Sequence, residues 1–184
     1  MTLHKPFRLL AIAGSLRRVS INRALVCAVA RLAPGDVSVT IYDELGSLPP
    51  FNPDEDDVDG PEAVIRFRAA LHAADALLIS SPEYARGVPG VLKNALDWVV
   101  GSGELADKPV ALINASPRAM HAFASLTETL TVMSARVVSA ASITVPLQGR
   151  ALDADGIVAD DELSAALRWA VGTLVAAARE PVPF

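Results

Sequence analysis

Short, almost wholly apolar runs alternate with amphipathic stretches along this chain, and this rhythm restricts the possible folds more than any other feature. The runs "FRLLAIA" (7–13), "VSVTIY" (37–42), "DALLIS" (75–80) and "KPVALINAS" (108–116) are predicted strands, and "VVSAASITVPL" from residue 137 is a fifth. Continuous apolar runs are typical of strands that are buried on both faces. The sequence therefore favours a parallel sheet with helices on both sides.

Helical spacing of apolar residues fills the segments between these strands. The first helix stops at Pro34-Gly35, Pro61 and Pro89 open the second and third, the fourth covers Phe123–Met133, and acids from Asp160 onward begin the last. Strict β–α alternation implies right-handed crossovers and a three-layer α/β/α sandwich. We expect one domain over residues 1–184, with a five-stranded parallel sheet of order 2-1-3-4-5.

The segment 43–60 breaks the rhythm with prolines, glycines and acids, and only Leu48 and Phe51 anchor it. Its acids, Asp54 to Asp59, lack the ligand spacing and the glycine of a calcium loop. We interpret the segment as a long, solvated surface loop.

Charge and cysteine content narrow the functional classes. The net charge of −5 argues against a general nucleic-acid surface, because binding of the phosphate backbone needs clustered Lys and Arg. Cys27 is the single cysteine, so neither an internal disulfide nor a cysteine-based metal site is expected. The apolar run at 9–13 is too short for a signal peptide, and no run approaches a membrane span. We expect a cytoplasmic protein without membrane association.

The stretch "GSLRRVSIN", 14–22, follows the first strand directly and leads into the first helix. Free backbone N–H groups and the helix dipole favour an anion at such a junction. Ser15, Ser20 and Asn22 add donors, and Arg17 adds a planar charged fork that can bind two phosphate oxygens. The alternative is that Ser20 or Asn22 caps the helix while the arginines face water. The convergence of donors after Gly14 favours a phosphate site.

Two well-known phosphate motifs are absent from this sequence. It contains neither G-x-x-x-x-G-K-[ST] nor G-x-G-x-x-G, so a Walker site and a dinucleotide fingerprint are not supported. A terminal monophosphate fits better, which points to a mononucleotide.

The loop "SPEYARGV", 81–88, follows the third strand, and a flat heteroaromatic ring could lie there against backbone amides. In this loop Gly87 would allow an unusual backbone angle.

Together, "GSLRRVSINRAL" and "SPEYARGVPGVLKNALDW" resemble the NADPH-dependent FMN reductase family, which has a flavodoxin-like fold and includes bacterial quinone and chromate reductases. The two motifs lie in the family's order on the expected elements. The resemblance implies that the first loop holds the FMN phosphate. The residues concerned are Ser15, Arg17, Ser20 and Asn22, with Leu16 as a backbone contact.

The resemblance also implies that the second loop borders the isoalloxazine ring. The matching residues are Pro82, Glu83, Tyr84 and Gly87, although Ala85 and Arg86 replace the asparagine that often follows the tyrosine.

The third loop, residues 116–122, departs from the family's glycine-rich S-x-G-x-x-G-G stretch. Ser116 has the strongest claim there to a cofactor contact. Arg118 could face reduced flavin or a nicotinamide phosphate, or could simply be solvated. His121 could assist proton delivery or be structural.

The resemblance implies an FMN-dependent oxidoreductase that takes hydride from NADPH and passes it to flavin, a quinone or a related small acceptor. The flavin would carry the chemistry, so no catalytic side chain and no metal is expected. The family's habit implies a homodimer or homotetramer. Two alternatives stay open: a flavodoxin-type FMN electron carrier, and a flavin-free binding or regulatory module.

Overall fold

The computed structural model describes residues 5–56, 60–147, 149–150 and 152–180. Strands and helices alternate along the chain. They are β1 (Phe7–Ala13), α1 (Ile21–Leu32), β2 (Val37–Tyr42), α2 (Glu62–Ala73), β3 (Ala76–Ser80), α3 (Gly90–Asp97), β4 (Pro109–Asn114), α4 (Met120–Val132), β5 (Arg136–Val137), β6 (Ile143–Thr144), α5 (Ala154–Ala159) and α6 (Asp161–Arg179).

All the strand pairs are parallel, and the strand order is β2-β1-β3-β4-β5. The chain crosses from β2 over β1 to reach β3, so strand order reverses between β1 and β3. This confirms the predicted three-layer architecture and the order 2-1-3-4-5. In such sheets, ligands bind beyond the carboxyl ends of the strands at the reversal point.

The predicted fifth strand is not continuous. Two short strands, β5 and β6, both pair with β4, and a turn of 3-10 helix at Ser139–Ala141 separates them. The Ser142 hydroxyl accepts from Leu112 N at 3.1 Å and donates to Val138 O at 3.0 Å. The Ser142 side chain therefore replaces a backbone acceptor of the edge strand. Leu112 N of β4 keeps a hydrogen bond where β5 and β6 are interrupted.

Alternate residues of the sheet face two separate apolar cores, as the pleat requires. Leu9, Ala11 and Leu78 contact the core beneath α1, α5 and α6. Leu10 and Ile79 contact the core beneath α2, α3 and α4. Burial on both faces explains why the strands read as unbroken apolar runs.

The connections differ from expectation in three places. Helix α4 begins at Met120, three residues before the predicted start, and the short helix α5 was not predicted at all. The segment 43–56 is anchored by buried Leu45 as well as buried Leu48, and it includes two 3-10 turns. Residues 57–59, part of the predicted acidic loop, lie outside the described residues.

The last helix, α6, begins where the acidic residues predict. Asp160 caps α6 by accepting from Leu163 N at 3.0 Å, as the acidic start predicts. Within the described ranges, none of the helices combines the length and the hydropathy that crossing a bilayer would require.

Candidate flavin site at the carboxyl edge of the sheet

Three loops meet at the carboxyl edge of neighbouring strands: 14–20 after β1, 81–89 after β3 and 115–119 after β4. Because Ala13 pairs with Ser80, and Ser80 with Ile113, the loops start side by side. The start of α1 and the second and third loops line an opening of about 620 Å³, here called the central cleft. Among the residues that line it are Asn22, Pro82, Glu83, Asn114, Ser116 and Arg118.

Gly14 allows the first two loops to approach closely. Its N–H donates to Ser80 O at 2.8 Å. A Cβ at this position would lie 2.8 Å from Ser81 Oγ and 2.9 Å from Leu92 Cδ2, closer than real Cβ contacts. Glycine is therefore needed here for space, as the sequence indicated.

The polar residues of loop 14–22 already make several contacts within the protein. Ser15 Oγ accepts from Arg17 N at 3.2 Å and lies 3.2 Å from Tyr84 Oη, so it connects the first loop to the second. Ser20 caps α1, with its side chain accepting from Arg23 N at 3.4 Å. The capping alternative for Ser20 is thus realised in the structure.

Asn22 is buried in the first turn of α1, where its Oδ1 accepts from Ser80 Oγ at 2.9 Å. This contact leaves the amide N–H groups as the donors that a ligand can use.

All four side chains predicted to hold phosphate line one opening. This phosphate cleft, about 650 Å³, includes Ser15, Arg17, Ser20, Asn22, Pro82 and Tyr84. The cleft and the central cleft share Asn22 and Pro82, so they adjoin each other. Leu16 differs, because its side chain is 61% exposed and contacts the Gly46 region on the other side of the loop. Only its backbone is available to the phosphate cleft.

The second loop turns through a two-residue hairpin connection. Tyr84 N donates to Gly87 O at 3.1 Å, and Gly87 N donates to Tyr84 O at 2.9 Å. Ala85 and Arg86 occupy the centre with φ of 49° and 60°. Two central residues with positive φ are the signature of a type I′ connection, which favours asparagine and glycine.

The expectation that Gly87 supplies an unusual backbone angle is therefore wrong. Gly87 flanks the turn, its φ is not positive, and a Cβ there would make only an ordinary 3.6 Å contact. Ala85 and Arg86 adopt the left-handed conformation because they are the two central residues of the turn, and a type I′ turn requires positive φ at both.

Glu83 extends from the second loop to the start of α4. Its Oε2 accepts from Ala122 N at 2.9 Å, in the first turn of α4. The N-cap residue of that helix, Ala119, has no side-chain oxygen to perform this role. Glu83 therefore caps α4 from a neighbouring loop, and its carboxylate is committed to the protein.

Asn114 organises the third loop, although sequence reasoning did not single it out. It is buried at the end of β4, its Oδ1 accepts from Ser116 N at 3.0 Å, and its Nδ2 donates to Ala119 O at 3.3 Å. An amide that ends an otherwise apolar strand was the available signal. Ser116 Oγ accepts from Arg118 N at 3.3 Å, and exposed Arg118 lines the central cleft. His121 is exposed and does not line that cleft.

Comparison with known proteins agrees with this geometry. A family model described as NADPH-dependent FMN reductase matches residues 7–149, which include all three loops. The chain belongs to the NADPH-dependent FMN reductase family. Membership confirms the resemblance inferred from the two loop motifs. Helices α5 and α6 lie beyond the matched stretch.

Two proteins of similar sequence are named as reductases. A 2-hydroxy-1,4-benzoquinone reductase of a Burkholderia species is 45% identical over 112 residues, covering 59% of this chain and 60% of that protein. An NAD(P)H-dependent FMN reductase of Pseudomonas aeruginosa is 34% identical over 163 residues, covering 84% and 86%. The chain spans about 60% of the length of the first of these relatives.

A solved structure also supports the fold, over most of the chain. FerB, a flavoenzyme NAD(P)H:(acceptor) oxidoreductase from Paracoccus denitrificans, superposes with a TM-score of 0.74 at 30% identity. The superposition covers 92% of this chain and 96% of FerB. A flavodoxin-like WrbA-like protein from Agrobacterium tumefaciens, at 16% identity and a TM-score of 0.58, shares the fold.

Proposed function

We propose that this chain is an FMN-dependent NAD(P)H oxidoreductase that transfers hydride from NADPH, through bound FMN, to a quinone, flavin or related small acceptor. The observation that carries the proposal is the juxtaposition of two clefts at the strand-order reversal. One is rich in phosphate donors and the other is flanked by a stiff hairpin. Ser15 and Tyr84 connect the loops that form them.

The donor set of the phosphate cleft fits a terminal phosphate. Arg17 is exposed and unpaired among the described residues, so its guanidinium can bind two phosphate oxygens. The Ser15 hydroxyl and the Asn22 amide would add neutral donors, and the Ser20 hydroxyl can donate its proton while its oxygen caps α1. The backbone at Leu16 would complete the set. These groups would orient and anchor the cofactor.

The neighbouring loops would hold the ring. Pro82 lines both clefts, Tyr84 lines the phosphate cleft and Glu83 lines the central cleft. Gly87 lines neither cleft, but it closes the hairpin that carries Tyr84. Ser116 would contact the ring from the third loop. The carboxylate of Glu83 acts indirectly, because it fixes α4 against the second loop.

FMN, when bound, accepts a hydride equivalent from the nicotinamide and delivers it to the acceptor. The net reaction with a quinone consumes NADPH and one proton and yields NADP⁺ and the hydroquinone. Arg118 would place positive charge on the wall of the central cleft, where reduced flavin gains negative charge. The names of the quinone reductase relatives support a quinone as acceptor.

We also propose a homodimer or homotetramer. Exposed apolar side chains lie at this edge of the sheet: Leu16 is 61% exposed, Val19 81%, Tyr84 54% and Met120 70%. Such a cluster beside a binding site is typical of a surface that a second subunit covers. The absence of nucleic-acid binding, a cytoplasmic location and a single domain over 1–184 stay predictions.

A reconstitution experiment tests the function. The purified protein is incubated with FMN and desalted, and its visible spectrum is recorded. NADPH oxidation is then followed with a benzoquinone. We expect retained flavin absorbance and steady turnover. Retained flavin with negligible turnover would indicate an electron carrier, and loss of all flavin on desalting would indicate a flavin-free module.

A further inference from the structure

The arginines of this chain divide into two groups by what their side chains contact. Six form ion pairs with carboxylates and two donate to backbone carbonyls. They are Arg8, Arg31, Arg66, Arg68, Arg150 and Arg179, and then Arg136 and Arg168. Within the described ranges, the guanidinium groups of the other five have no hydrogen-bond or ion-pair partner. They are Arg17, Arg18, Arg23, Arg86 and Arg118.

The five unpaired arginines all follow the carboxyl ends of strands, so they lie along one edge of the sheet. The protein as a whole is acidic, with 21 Asp and Glu against 16 Lys and Arg. Carboxylates are thus available to neutralise these arginines, yet they pair with the arginines elsewhere. Concentrated positive charge on an acidic protein attracts anionic ligands to that edge.

Three of these arginines line a second cavity beside the phosphate cleft, and all three line both openings. This β2-side cavity, about 420 Å³, lies between loop 14–18 and the end of β2, and its wall includes Arg17, Arg18, Arg23, Tyr42 and Asp43. Ser20, Asn22 and Tyr84, which line the phosphate cleft, do not line it. Its three guanidinium groups outweigh the single carboxylate of Asp43.

Two details indicate that the cavity is suited to an anion. Arg23 lies in the first turn of α1, where a cation is unfavourable beside the positive end of the helix dipole unless an anion is also present. Tyr42 is 9% exposed, and its hydroxyl has no hydrogen-bond partner among the described residues. Burial raises the pKa of Tyr42 to about 12, so this hydroxyl stays a donor at neutral pH.

We propose that the β2-side cavity binds the 2′-phosphate of NADPH, and that Arg18 and Arg23 make the protein prefer NADPH to NADH. This inference rests on the proposed function. FMN contributes one terminal phosphate, and the phosphate cleft already offers a full donor set for it. The dianion that remains, and that NADH lacks, is the 2′-phosphate. Asp43 offers an acceptor for the adjacent ribose hydroxyl.

The kinetic test compares the two nicotinamides in the holoenzyme. Arg18→Ala and Arg23→Ala should each raise the KM for NADPH about tenfold, because each removes a charge-assisted contact to phosphate. The KM for NADH should not change. Because Arg18 and Arg23 also line the phosphate cleft, both KM values are measured with FMN saturating. Arg86→Ala is the matched control, since it removes the same charge from the same edge but lines neither cavity; its ratio of the two KM values should equal that of the wild type.

Equal increases for NADPH and NADH would overturn the proposal, because they would assign these arginines to the pyrophosphate that both molecules carry. Unchanged constants for both would overturn it as well. All three side chains are exposed, so the variants should keep the wild-type fold.

A direct titration keeps this inference separate from the proposed function. The full-length protein without flavin is titrated with adenosine 2′,5′-bisphosphate and with adenosine 5′-monophosphate by calorimetry. We expect at least tenfold tighter binding of the bisphosphate, and loss of that difference in the Arg18→Ala/Arg23→Ala variant. Equal affinities in the wild type would overturn the inference, whereas failure to bind FMN would count against the proposed function only.

Discussion

Replacing Glu83 tests the unexpected contact between the second loop and helix α4. In the structure, the Glu83 carboxylate accepts from Ala122 N at 2.9 Å, and Ala122 is 3% exposed. Glu83→Ala would leave a buried N–H in the first turn of α4 without its acceptor. Glu83→Gln keeps an acceptor oxygen and removes only the negative charge beside the positive end of the helix.

The two substitutions should differ in magnitude. Loss of a helix cap costs about 1–2 kcal/mol of unfolding free energy. Loss of the charge beside the helix dipole costs about 0.3–1 kcal/mol. In a protein of this length each kcal/mol lowers Tm by roughly 2–4 °C. We therefore expect Tm to fall by about 2–8 °C for Glu83→Ala and by about 1–4 °C for Glu83→Gln.

Thermal and urea unfolding of the flavin-free protein measure these differences. Glu128→Ala and Glu128→Gln are the matched controls, because Glu128 is exposed on the same helix and has no ion pair or hydrogen bond among the described residues. Both controls should lie within about 0.5 kcal/mol of the wild type. If Glu83→Ala were no less stable than Glu128→Ala, the capping argument would be refuted.

Three further predictions concern local structure. Ala85→Gly should stabilise the protein by about 1 kcal/mol in urea unfolding, because Ala85 has φ of 49°; destabilisation would show that the turn is unstrained. Gly14→Ala should destabilise the protein by about 1–3 kcal/mol in the same assay, because the new Cβ would lie 2.8 Å from Ser81 Oγ. An unchanged unfolding midpoint would show that the first two loops can separate. Hydrogen bonds from Arg8 hold the pKa of Asp75 below its usual value, so their stabilisation is present above about pH 4 and is lost as pH falls further. Stability measured against pH should therefore fall less steeply below pH 4 in Asp75→Asn, and identical slopes would contradict this.

The sheet was predictable because burial on both faces leaves an unbroken apolar pattern that few other structures produce. The unbroken apolar pattern gave no sign of the interruption between β5 and β6. Ser142 replaces a ladder contact there, and a small polar residue inside an apolar run does not reveal which atom its hydroxyl will bind. Helix α5 has six residues, too few for a helical period to be recognised.

The site was predictable at the level of loops and less so at the level of atoms. The positions of Ser15, Arg17 and Asn22 followed from the rule that strand ends share one edge. The contact made by Glu83 could not be predicted, because its partner is a backbone N–H in the first turn of α4, 39 residues away. The β2-side cavity was also invisible in the sequence, since it depends on Tyr42 and on which arginines remain unpaired in the fold.

The central claim is that the junction of β1 and α1 binds the phosphate of FMN. Titration of the flavin-free protein with FMN and with riboflavin, which lacks the phosphate, tests it most directly through quenching of flavin fluorescence. We expect FMN to bind about 100-fold more tightly than riboflavin, from two or more charge-assisted hydrogen bonds, and we expect Arg17→Ala to remove about tenfold or more of that difference. Equal affinity of the wild type for FMN and riboflavin would contradict the account.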